Sequence, residues 1–381
     1  MTATIDVVSY RDEFPLTKEW AYLNHAAHGP FPTRTIEAVK RYAEGWGSPP
    51  DLGGEYSATV IREAREGIAE LAGGRPSNVT FVGSLADGMN LLANGLEWQA
   101  GDNLLIPAHE FPSVVYPFLN LERKGVEVRF IQKNDAGRTD IARFEAAMDE
   151  RTRAVAISHI EWQDGFRNDI KALGELCSSR GVELFVDCTQ SLGAHPIDLE
   201  DTKVTAIAAH GYKWLLSSFG NAVVVFNEGA IDRIYPTYVG RLSVDASDED
   251  QNWQLNFKDT AERYQTGGLN VMSLTAMRAS LTMLREATLD AIVAQTTKVT
   301  DYLVEGLNAA GYEVLSERSP EHRSQIVTFS SGDTERNAQL IEDLAGRKIS
   351  VALRGGCVRV SPFFYNTEED VDKLLEALPP L

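Results

Sequence analysis

The sequence predicts an α/β protein with a large domain, built on a mainly parallel sheet, and a smaller C-terminal α/β domain. The first observation is an alternation of amphipathic helical segments with short apolar runs, which begins near residue 58. The second is a change of pattern near residue 285, where a long helical segment is followed by short strands and further helices. The length of 381 residues fits two such domains.

The large domain is predicted from its alternating elements in chain order. The predicted strands are Asn78–Val82, Asn103–Pro107, Val126–Ile131, Ala154–Ser158, Glu183–Val186, Val204–Ala209 and Ala222–Phe226. The predicted helices are Ala58–Ala72, Ala86–Leu96, Ser113–Arg123, Ile141–Asp149 and Ile170–Ser179. Parallel sheets bind their ligands beyond the carboxyl ends of the strands, so we expect the functional residues there.

The C-terminal pattern predicts a compact second unit. Its predicted helices are Leu289–Gly311, Arg336–Leu344 and one that begins near Thr367, where Asp370 has capping-box spacing. Its predicted strands are Glu313–Leu315, Gln325–Phe329, Ile349–Leu353 and Val358–Val360. We therefore divide the chain into an N-terminal segment, 1–30, a large domain, 31–284, and a small domain, 285–381.

The composition excludes several classes of function. The chain has 36 Lys and Arg against 55 Asp and Glu, a net charge of −19, which argues against nucleic-acid and anionic-membrane partners. Its three cysteines form no CxxC pair, so neither a metal site nor a disulfide framework is indicated. No signal peptide and no apolar stretch approaching ~20 residues is recognisable, and we expect a soluble cytoplasmic protein.

Two residues at predicted strand ends suggest chemistry. Lys213 follows an apolar strand beside Trp214, and such partial burial lowers a lysine pKa and makes the amine a better nucleophile toward an aldehyde. Asp187 ends the preceding strand, where a carboxylate can keep a pyridine nitrogen protonated. Gln190, three residues later, could donate to a ring oxygen. The alternatives are a lysine that extends to solvent and a turn-forming aspartate.

A phosphate site is predicted where Ser84 begins the helix that contains Leu85 and Ala86. The free N–H groups at a helix start bind phosphate, although an ordinary helix cap has the same pattern. Neither GxGxxG nor GxxxxGK[ST] occurs, which leaves a nicotinamide-dependent dehydrogenase little support.

The combination of phosphate site, aspartate, glutamine and lysine in this order resembles the class V aminotransferases of fold type I. The resemblance extends over Tyr22–Leu378 and is strongest in Tyr22–Ala27, Val186–Asp198, Gly211–Leu215, Tyr264–Asn270 and Val358–Asp370. This group includes cysteine desulfurases, isopenicillin N epimerase-like proteins, kynureninases and carbon–sulfur lyases. The resemblance implies the fold type I architecture with a seven-stranded sheet, pyridoxal 5'-phosphate as cofactor, an amino-acid-like substrate, and a homodimer with shared active sites.

The resemblance also implies roles for individual residues. Lys213 matches the lysine that forms the internal aldimine and moves protons, Asp187 the partner of the ring nitrogen, and Gln190 the neighbour of the phenolic oxygen. The remaining cofactor-binding candidates are Ser84, Leu85, Ala86, Phe111, Trp162, His210, Tyr212, Gly267 and Gly268. Of these, Phe111 would cover the cofactor ring, His210 and Tyr212 would bind phosphate, and the two glycines would approach the phosphate of the neighbouring subunit.

Substrate binding is implied for four residues. Arg359 matches the arginine that holds the substrate carboxylate, Arg354 is a second candidate, and Asn24 and His25 lie in the segment that folds over the substrate. We expect the side-chain pocket to include Trp162, Phe111, the region of His25 and His28, and the acidic loop Asp245–Trp253.

The reaction type stays open between transamination and β-elimination. Cysteine desulfurase is disfavoured because a nucleophilic loop cysteine is missing, and Cys357 lies only two positions before Arg359. An epimerase of the isopenicillin N type is an alternative, although no additional acid or base is identifiable. A non-catalytic binding or regulatory protein is a further alternative. Ala86, in place of the family's threonine, supports it, and the presence of Lys213 and Asp187 opposes it.

Overall fold

The computed structural model describes residues 6–46, 54–134, 137–245 and 253–381. The helices are α1 Val7–Asp12, α2 Thr33–Gly45, α3 Glu55–Ala72, α4 Leu85–Gly95, α5 Pro112–Leu119, α6 Ile141–Ala147, α7 Ile170–Arg180, α8 Leu199–Thr202, α9 Val271–Ala287, α10 Leu289–Ala309, α11 Thr334–Gly346 and α12 Glu368–Ala377. The strands are β1 Ala21–Tyr22, β2 Val79–Val82, β3 Asn103–Pro107, β4 Glu127–Ile131, β5 Thr152–Ser158, β6 Glu183–Asp187, β7 Ala206–His210, β8 Ala222–Phe226, β9 Glu313–Val314, β10 Val327–Ser330, β11 Ile349–Ser350, β12 Ala352–Arg354 and β13 Cys357–Val360.

The large sheet has seven strands in the order β2-β8-β7-β6-β5-β3-β4. The pairs from β4 through β3, β5 and β6 to β7 are parallel, and β8 is antiparallel to both β7 and β2. The predicted α/β fold with a mainly parallel sheet is therefore confirmed. Helices cover both faces, so the central strands are nearly continuous apolar runs rather than alternating ones.

The core lies on both sides of this sheet. In β6, Leu184 and Val186 pack on the side of α3 and α7, whereas Phe185 packs on the side of α4 and α5. Successive strand residues point to opposite faces, so a fully apolar strand serves both layers. This double burial fixes the strand ends, and with them the residues that follow Asp187 and His210.

Two predictions of local structure are corrected. The predicted helix Ser113–Arg123 ends as an α-helix at Leu119 and continues as a 3₁₀ turn over Asn120–Lys124, because Pro117 lies inside it and Gly125 follows in the left-handed conformation. The predicted strand Ile349–Leu353 is two strands in two different sheets. The amphipathic helices α2 and α9 were not predicted.

The smaller sheet has the order β12-β13-β10-β9 with antiparallel pairs throughout. Helices α10, α11 and α12 pack around it, and β1 from the N-terminal segment pairs with β11. The capping box between Thr367 and Asp370 is present at the start of α12. The domain boundary at 284/285 stays a prediction, which we base on the break at Thr288 between α9 and α10 (φ 62°).

Helices in the described ranges are all too short or too polar to cross a lipid bilayer.

Candidate active site

Lys213 and Asp187 both lie at the carboxyl edge of the large sheet. Asp187 is the last residue of β6, its register partner in β7 is Ala208, and Lys213 follows β7 by three residues. Both side chains are buried, with relative exposures of 5% for Asp187 and 8% for Lys213. Thr189 braces this corner because its N–H donates to Asp187 Oδ1 at 2.7 Å and its hydroxyl accepts from the His210 N–H at 3.2 Å.

Burial controls the protonation of this pair. It lowers the pKa of Lys213 to about 8; the Asp187 carboxylate opposes this shift, and Arg359 and Arg354 add to it. Burial raises the pKa of Asp187, against two hydrogen bonds from Thr189 and the charge of Lys213. An amine with a pKa near neutrality is partly unprotonated and nucleophilic, which a surface lysine is not.

A helix N-terminus lies at the next part of the edge. Ser84 caps α4, with its Oγ accepting from the Asp87 N–H at 3.1 Å, so the first-turn N–H groups of Leu85 and Ala86 have no intrahelical acceptor. Asp87 is a carboxylate in this same turn. A phosphate here would depend on the backbone amides and on nearby polar side chains to offset that charge.

His210 and Tyr212 form an aromatic pair beside the lysine. Their ring centroids are 4.6 Å apart, and the Tyr212 ring stacks on Phe219 at 4.2 Å. Burial, and to a lesser degree Lys213, lowers the pKa of His210 to about 4, so the imidazole is neutral and can donate one hydrogen bond without carrying charge.

Phe111 and Trp162 form one wall. The Phe111 ring lies 5.7 Å from Lys213 Nζ, and the Trp162 ring meets it edge to face at 5.6 Å. Phe111 immediately precedes α5, and Trp162 lies in the loop between β5 and α7. The two rings therefore place an apolar surface next to the lysine. This position of Phe111 is consistent with its predicted role of covering the flat cofactor ring.

Arg359 points from the smaller sheet toward this edge. Its side chain is almost completely buried (1% exposed), and Nη1 donates to the Trp162 carbonyl oxygen. Nε and Nη2 are buried without an acceptor in the part of the chain that the structure describes. Burial lowers the Arg359 pKa to about 9. The unpaired Nε–Nη2 edge has the fork geometry that binds a carboxylate through two parallel hydrogen bonds.

Arg354 is the second cation near the lysine. It ends β12 and is half-buried, and its Nη1 donates to the Leu353 carbonyl oxygen at 2.7 Å. Its charge adds to that of Arg359 in lowering the pKa of Lys213. The site therefore combines two guanidinium groups and an amine with the carboxylate of Asp187, and it favours anionic ligands in a chain of net negative charge.

The comparisons with known proteins agree with this geometry. The sequence model described as aminotransferase class-V matches residues 21–374. The chain belongs to the class V aminotransferase family. It is 26% identical to a probable cysteine desulfurase of Methanothermobacter thermautotrophicus, over 97% of this chain and 96% of that one.

Two solved structures share the fold. An apo cysteine desulfurase from Thermococcus onnurineus superposes with a TM-score of 0.89 at 21% identity, covering 99% of this chain and 98% of the other. The cystine C–S lyase C-DES, in complex with its product cysteine persulfide, superposes with a TM-score of 0.86 at 22% identity, covering 95% and 98%. The predicted family and its fold type I architecture are thus confirmed.

This class V chain is a pyridoxal-phosphate enzyme, and its residues fit that cofactor. The buried amine of Lys213 suits the cofactor aldehyde, the carboxylate of Asp187 suits the ring nitrogen, and the start of α4 suits the phosphate. The individual roles of these residues stay predictions, as does the role of each further candidate below.

The Gln190 side chain has two hydrogen-bond partners within the protein, and its expected place near the phenolic oxygen of the cofactor stays a prediction. Its Nε2 donates to the Ala26 carbonyl oxygen at 3.1 Å, and its Oε1 accepts from Trp214 Nε1 at 2.8 Å. The amide therefore links the N-terminal segment to the residue after Lys213, and only its second N–H is left for a cofactor oxygen. Sequence spacing could not reveal this, because Ala26 is distant along the chain.

The His25 ring is fully buried, stacks on Trp214 at 4.6 Å and lies 4.5 Å from Phe363. Neither ring nitrogen has a hydrogen-bond partner in the described ranges, and the expected contact of His25 with the substrate stays a prediction. Burial lowers the pKa of His25 to about 3, so the ring is neutral. Asn24 is only half-buried; its Oδ1 has no partner in the described ranges, and its backbone bridges to Ser361, two residues beyond Arg359.

Gly267 and Gly268 line a cavity of about 560 Å³ together with Gly83 and Asp87, which flank the start of α4. Lys213 is not among the residues that line this cavity. A Cβ atom at either glycine would meet nothing within 4 Å, so this segment is open. Most of the acidic loop Asp245–Trp253, namely residues 246–252, lies outside the described residues.

Two buried carboxylates were missed. Glu110 accepts from the Ser158 N–H, from Ser158 Oγ at 2.7 Å and from the Phe111 N–H at 3.0 Å, and burial raises its pKa well above the ordinary value. Glu161 accepts from Asn168 Nδ2 at 2.8 Å, and burial raises its pKa to about 8. Both follow strand ends, which was the signal available in the sequence.

Proposed function

We propose that this enzyme is a carbon–sulfur lyase, which removes a sulfur group from Cβ of an α-amino acid by β-elimination. The observation that carries the proposal is the state of the cysteines: a site with the amine, carboxylate and arginine of this family has no reactive thiol beside it. Elimination needs only an acid–base residue at Cα and a leaving group on Cβ, whereas desulfuration also needs a cysteine that accepts the sulfur.

The three thiols are poor sulfur acceptors. Cys177 and Cys188 are buried; burial raises the pKa of Cys177 to about 12 and that of Cys188 well above the ordinary value. Cys357 is half-buried in β13, opposite Arg354, where Sγ contacts the Gly355 carbonyl oxygen at 3.7 Å and burial raises its pKa. A strand residue in a ladder cannot swing to the substrate as a loop residue can, and a protonated thiol is a weak nucleophile.

The other residues divide the work of elimination. Arg359 holds the substrate carboxylate through Nε and Nη2, which fixes Cα near Lys213. The Lys213 amine takes the Cα proton and delivers it to the departing group or to solvent, Asp187 keeps the ring nitrogen protonated, and Phe111 covers the ring. Bound pyridoxal phosphate supplies the electron sink for the charge left on Cα.

Cysteine desulfurase is the second candidate. It is favoured by the similarity to probable cysteine desulfurases of Methanothermobacter thermautotrophicus and Pyrococcus abyssi and to a cysteine desulfurase of Haloferax volcanii. A lyase is supported by C-DES, whose product is cysteine persulfide, although its likeness concerns the fold. Transamination and epimerisation use the same residues, but neither releases pyruvate together with ammonia from L-cystine, so the test below distinguishes both from elimination.

Product analysis separates these reactions. With L-cystine the proposal predicts that one molecule of cystine and one of water give one molecule each of pyruvate, ammonia and cysteine persulfide. A desulfurase acting on L-cysteine would release alanine, and its sulfur would first appear on the enzyme. The Cys357→Ser enzyme should retain full pyruvate release; alanine as the main product, lost in Cys357→Ser, would overturn the proposal in favour of desulfuration.

A homodimer with shared sites also remains our proposal. The open segment at Gly267 and Gly268 lines one cavity with Tyr238, which is 71% exposed. Trp253 (92%) and Leu255 (63%) are further exposed apolar side chains of the large domain, and exposed apolar patches mark interfaces. Light scattering of the holoenzyme should give twice the chain mass. A monomer of full activity would contradict the shared site.

A further inference from the structure

Four consecutive carbonyl oxygens, those of residues 162–165, accept hydrogen bonds from four side chains of the C-terminal region. Arg359 Nη1 binds the Trp162 oxygen, and Thr328 Oγ1 binds the Gln163 oxygen at 2.8 Å. Ser316 Oγ binds the oxygen of residue 164, and Ser324 Oγ binds that of residue 165 at 2.6 Å. We call residues 162–165 the tethered loop.

The tethered loop is also fitted closely to its partners. Gly165 has φ +76°, and a Cβ there would lie 2.6 Å from the Ile326 carbonyl oxygen and 2.7 Å from Ser324 Oγ. Only glycine allows this conformation and this approach together. The tethered loop is therefore held by contacts with the C-terminal region, although in the chain it follows β5 of the large sheet.

Thr328 and Arg359 are neighbours in this arrangement. They are register partners in the antiparallel pair of β10 and β13, so their side chains lie on the same face of the smaller sheet. Each binds one of two adjacent carbonyl groups of the loop. Thr328 therefore helps to set the orientation of the Trp162–Gln163 backbone, to which Nη1 of Arg359 is bound.

The direction of the arginine fork follows from that bond. With Nη1 held by the Trp162 oxygen, the opposite edge, Nε and Nη2, is the part without an acceptor in the described ranges. A shift of the carbonyl group would rotate this edge, and a bidentate pair with a carboxylate tolerates little rotation.

We propose that Thr328 is a positioning residue for substrate binding: its hydroxyl holds the tethered loop so that the Trp162 carbonyl aims the free edge of Arg359 at the substrate carboxylate. The inference rests on the proposed role of Arg359.

The test compares Thr328→Val, which removes the hydroxyl at nearly constant shape, with Thr328→Ser, which keeps it. Binding of L-alanine and of ethylamine, which lacks a carboxylate, is measured on the holoenzyme from the shift of the cofactor absorption band. We expect the L-alanine Kd to rise about threefold to tenfold in Thr328→Val, the range of one hydrogen bond, and to change less than about twofold in Thr328→Ser. Ethylamine binding should be unchanged in both.

An unchanged L-alanine Kd in Thr328→Val, or equal losses for L-alanine and ethylamine, would overturn the proposal. If Thr328→Val does not fold, Ser324→Ala replaces it. We then expect a smaller loss of L-alanine affinity with ethylamine binding unchanged, and the absence of such a selective loss would overturn the proposal. Arg359→Gln distinguishes a failure of the proposed role of Arg359 from a failure of the positioning role of Thr328. If it leaves L-alanine binding intact, the proposed role of Arg359 fails; if it abolishes binding while Thr328→Val does not matter, only the positioning role fails.

Discussion

Replacing Arg359 with methionine should make the protein more stable and less able to bind substrate. The guanidinium is 1% exposed, and burial holds its pKa at about 9 against an ordinary 12.5. A difference of that size corresponds to about 5 kcal/mol as an upper bound on the cost of burying the charge. The hydrogen bond to the Trp162 oxygen offsets about 2 kcal/mol of this cost, a magnitude typical of hydrogen bonds to charged groups.

The net effect expected for Arg359→Met is a gain of about 1–3 kcal/mol in the free energy of unfolding, since the methionine fills a similar volume without charge. Loss of a bidentate pair with the substrate carboxylate should weaken amino-acid binding by about 3–4 kcal/mol, or 10²–10³-fold. Such opposite effects are typical of a residue retained for function at a cost in stability.

The assay combines denaturant unfolding of the holoenzyme with titration of the cofactor band by L-alanine. Arg347→Met, at an exposed arginine, is the matched control and should change stability by no more than about 0.5 kcal/mol and binding not at all. A destabilised Arg359→Met protein that binds L-alanine normally would refute the reasoning, because the arginine would then be structural.

Three further variants test other parts of the site. Glu161→Gln should stabilise the protein increasingly as the pH rises, because the Glu161 carboxyl has a pKa of 4.5 in the unfolded chain and about 8 in the folded one. Between these values ionisation favours the unfolded chain, which destabilises the parent protein by at most about 5 kcal/mol. Identical unfolding curves of the variant and the parent at both pH 5 and pH 8 would contradict this. Gly165→Ala should lose at least about 2 kcal/mol of stability in thermal unfolding and weaken L-alanine binding, since the new Cβ meets the Ile326 carbonyl in a left-handed conformation; a fully stable variant would refute the close fit of the tethered loop. Gln190→Ala should lower the free energy of unfolding by about 1–3 kcal/mol, because its hydrogen bonds to Ala26 and Trp214 are lost, and should shift the cofactor absorption band only slightly. A large shift of the band without loss of stability would show that Gln190 acts mainly on the cofactor.

Much of the fold could be predicted from the sequence because the strands of the large sheet are short apolar runs separated by amphipathic helices. β3 and β8 were predicted at their observed bounds. The predicted strand Ile349–Leu353 was wrong because its two halves belong to different sheets, one paired with the N-terminal segment. That pairing joins residues more than 300 positions apart, which no local pattern encodes.

The site divides in the same way. The neighbourhood of Lys213 and Asp187 could be predicted because Asp187 ends one strand and Lys213 closely follows the adjacent parallel strand, and the carboxyl ends of such strands share an edge. The burial of His25 between Trp214 and Phe363, and the attachment of Gln190 to Ala26, depend on how the N-terminal segment folds back. The carbonyl contacts of Thr328 were equally invisible, because a threonine in a strand looks the same whether its hydroxyl faces a loop or solvent.

Borohydride reduction of the holoenzyme, followed by mass mapping of the labelled peptide, tests the central claim most directly. We predict that the visible absorption band disappears on reduction and that the cofactor mass is found on Lys213, the buried amine beside Asp187. The label on any other lysine, or a purified protein with no visible band after incubation with pyridoxal phosphate, would contradict the account.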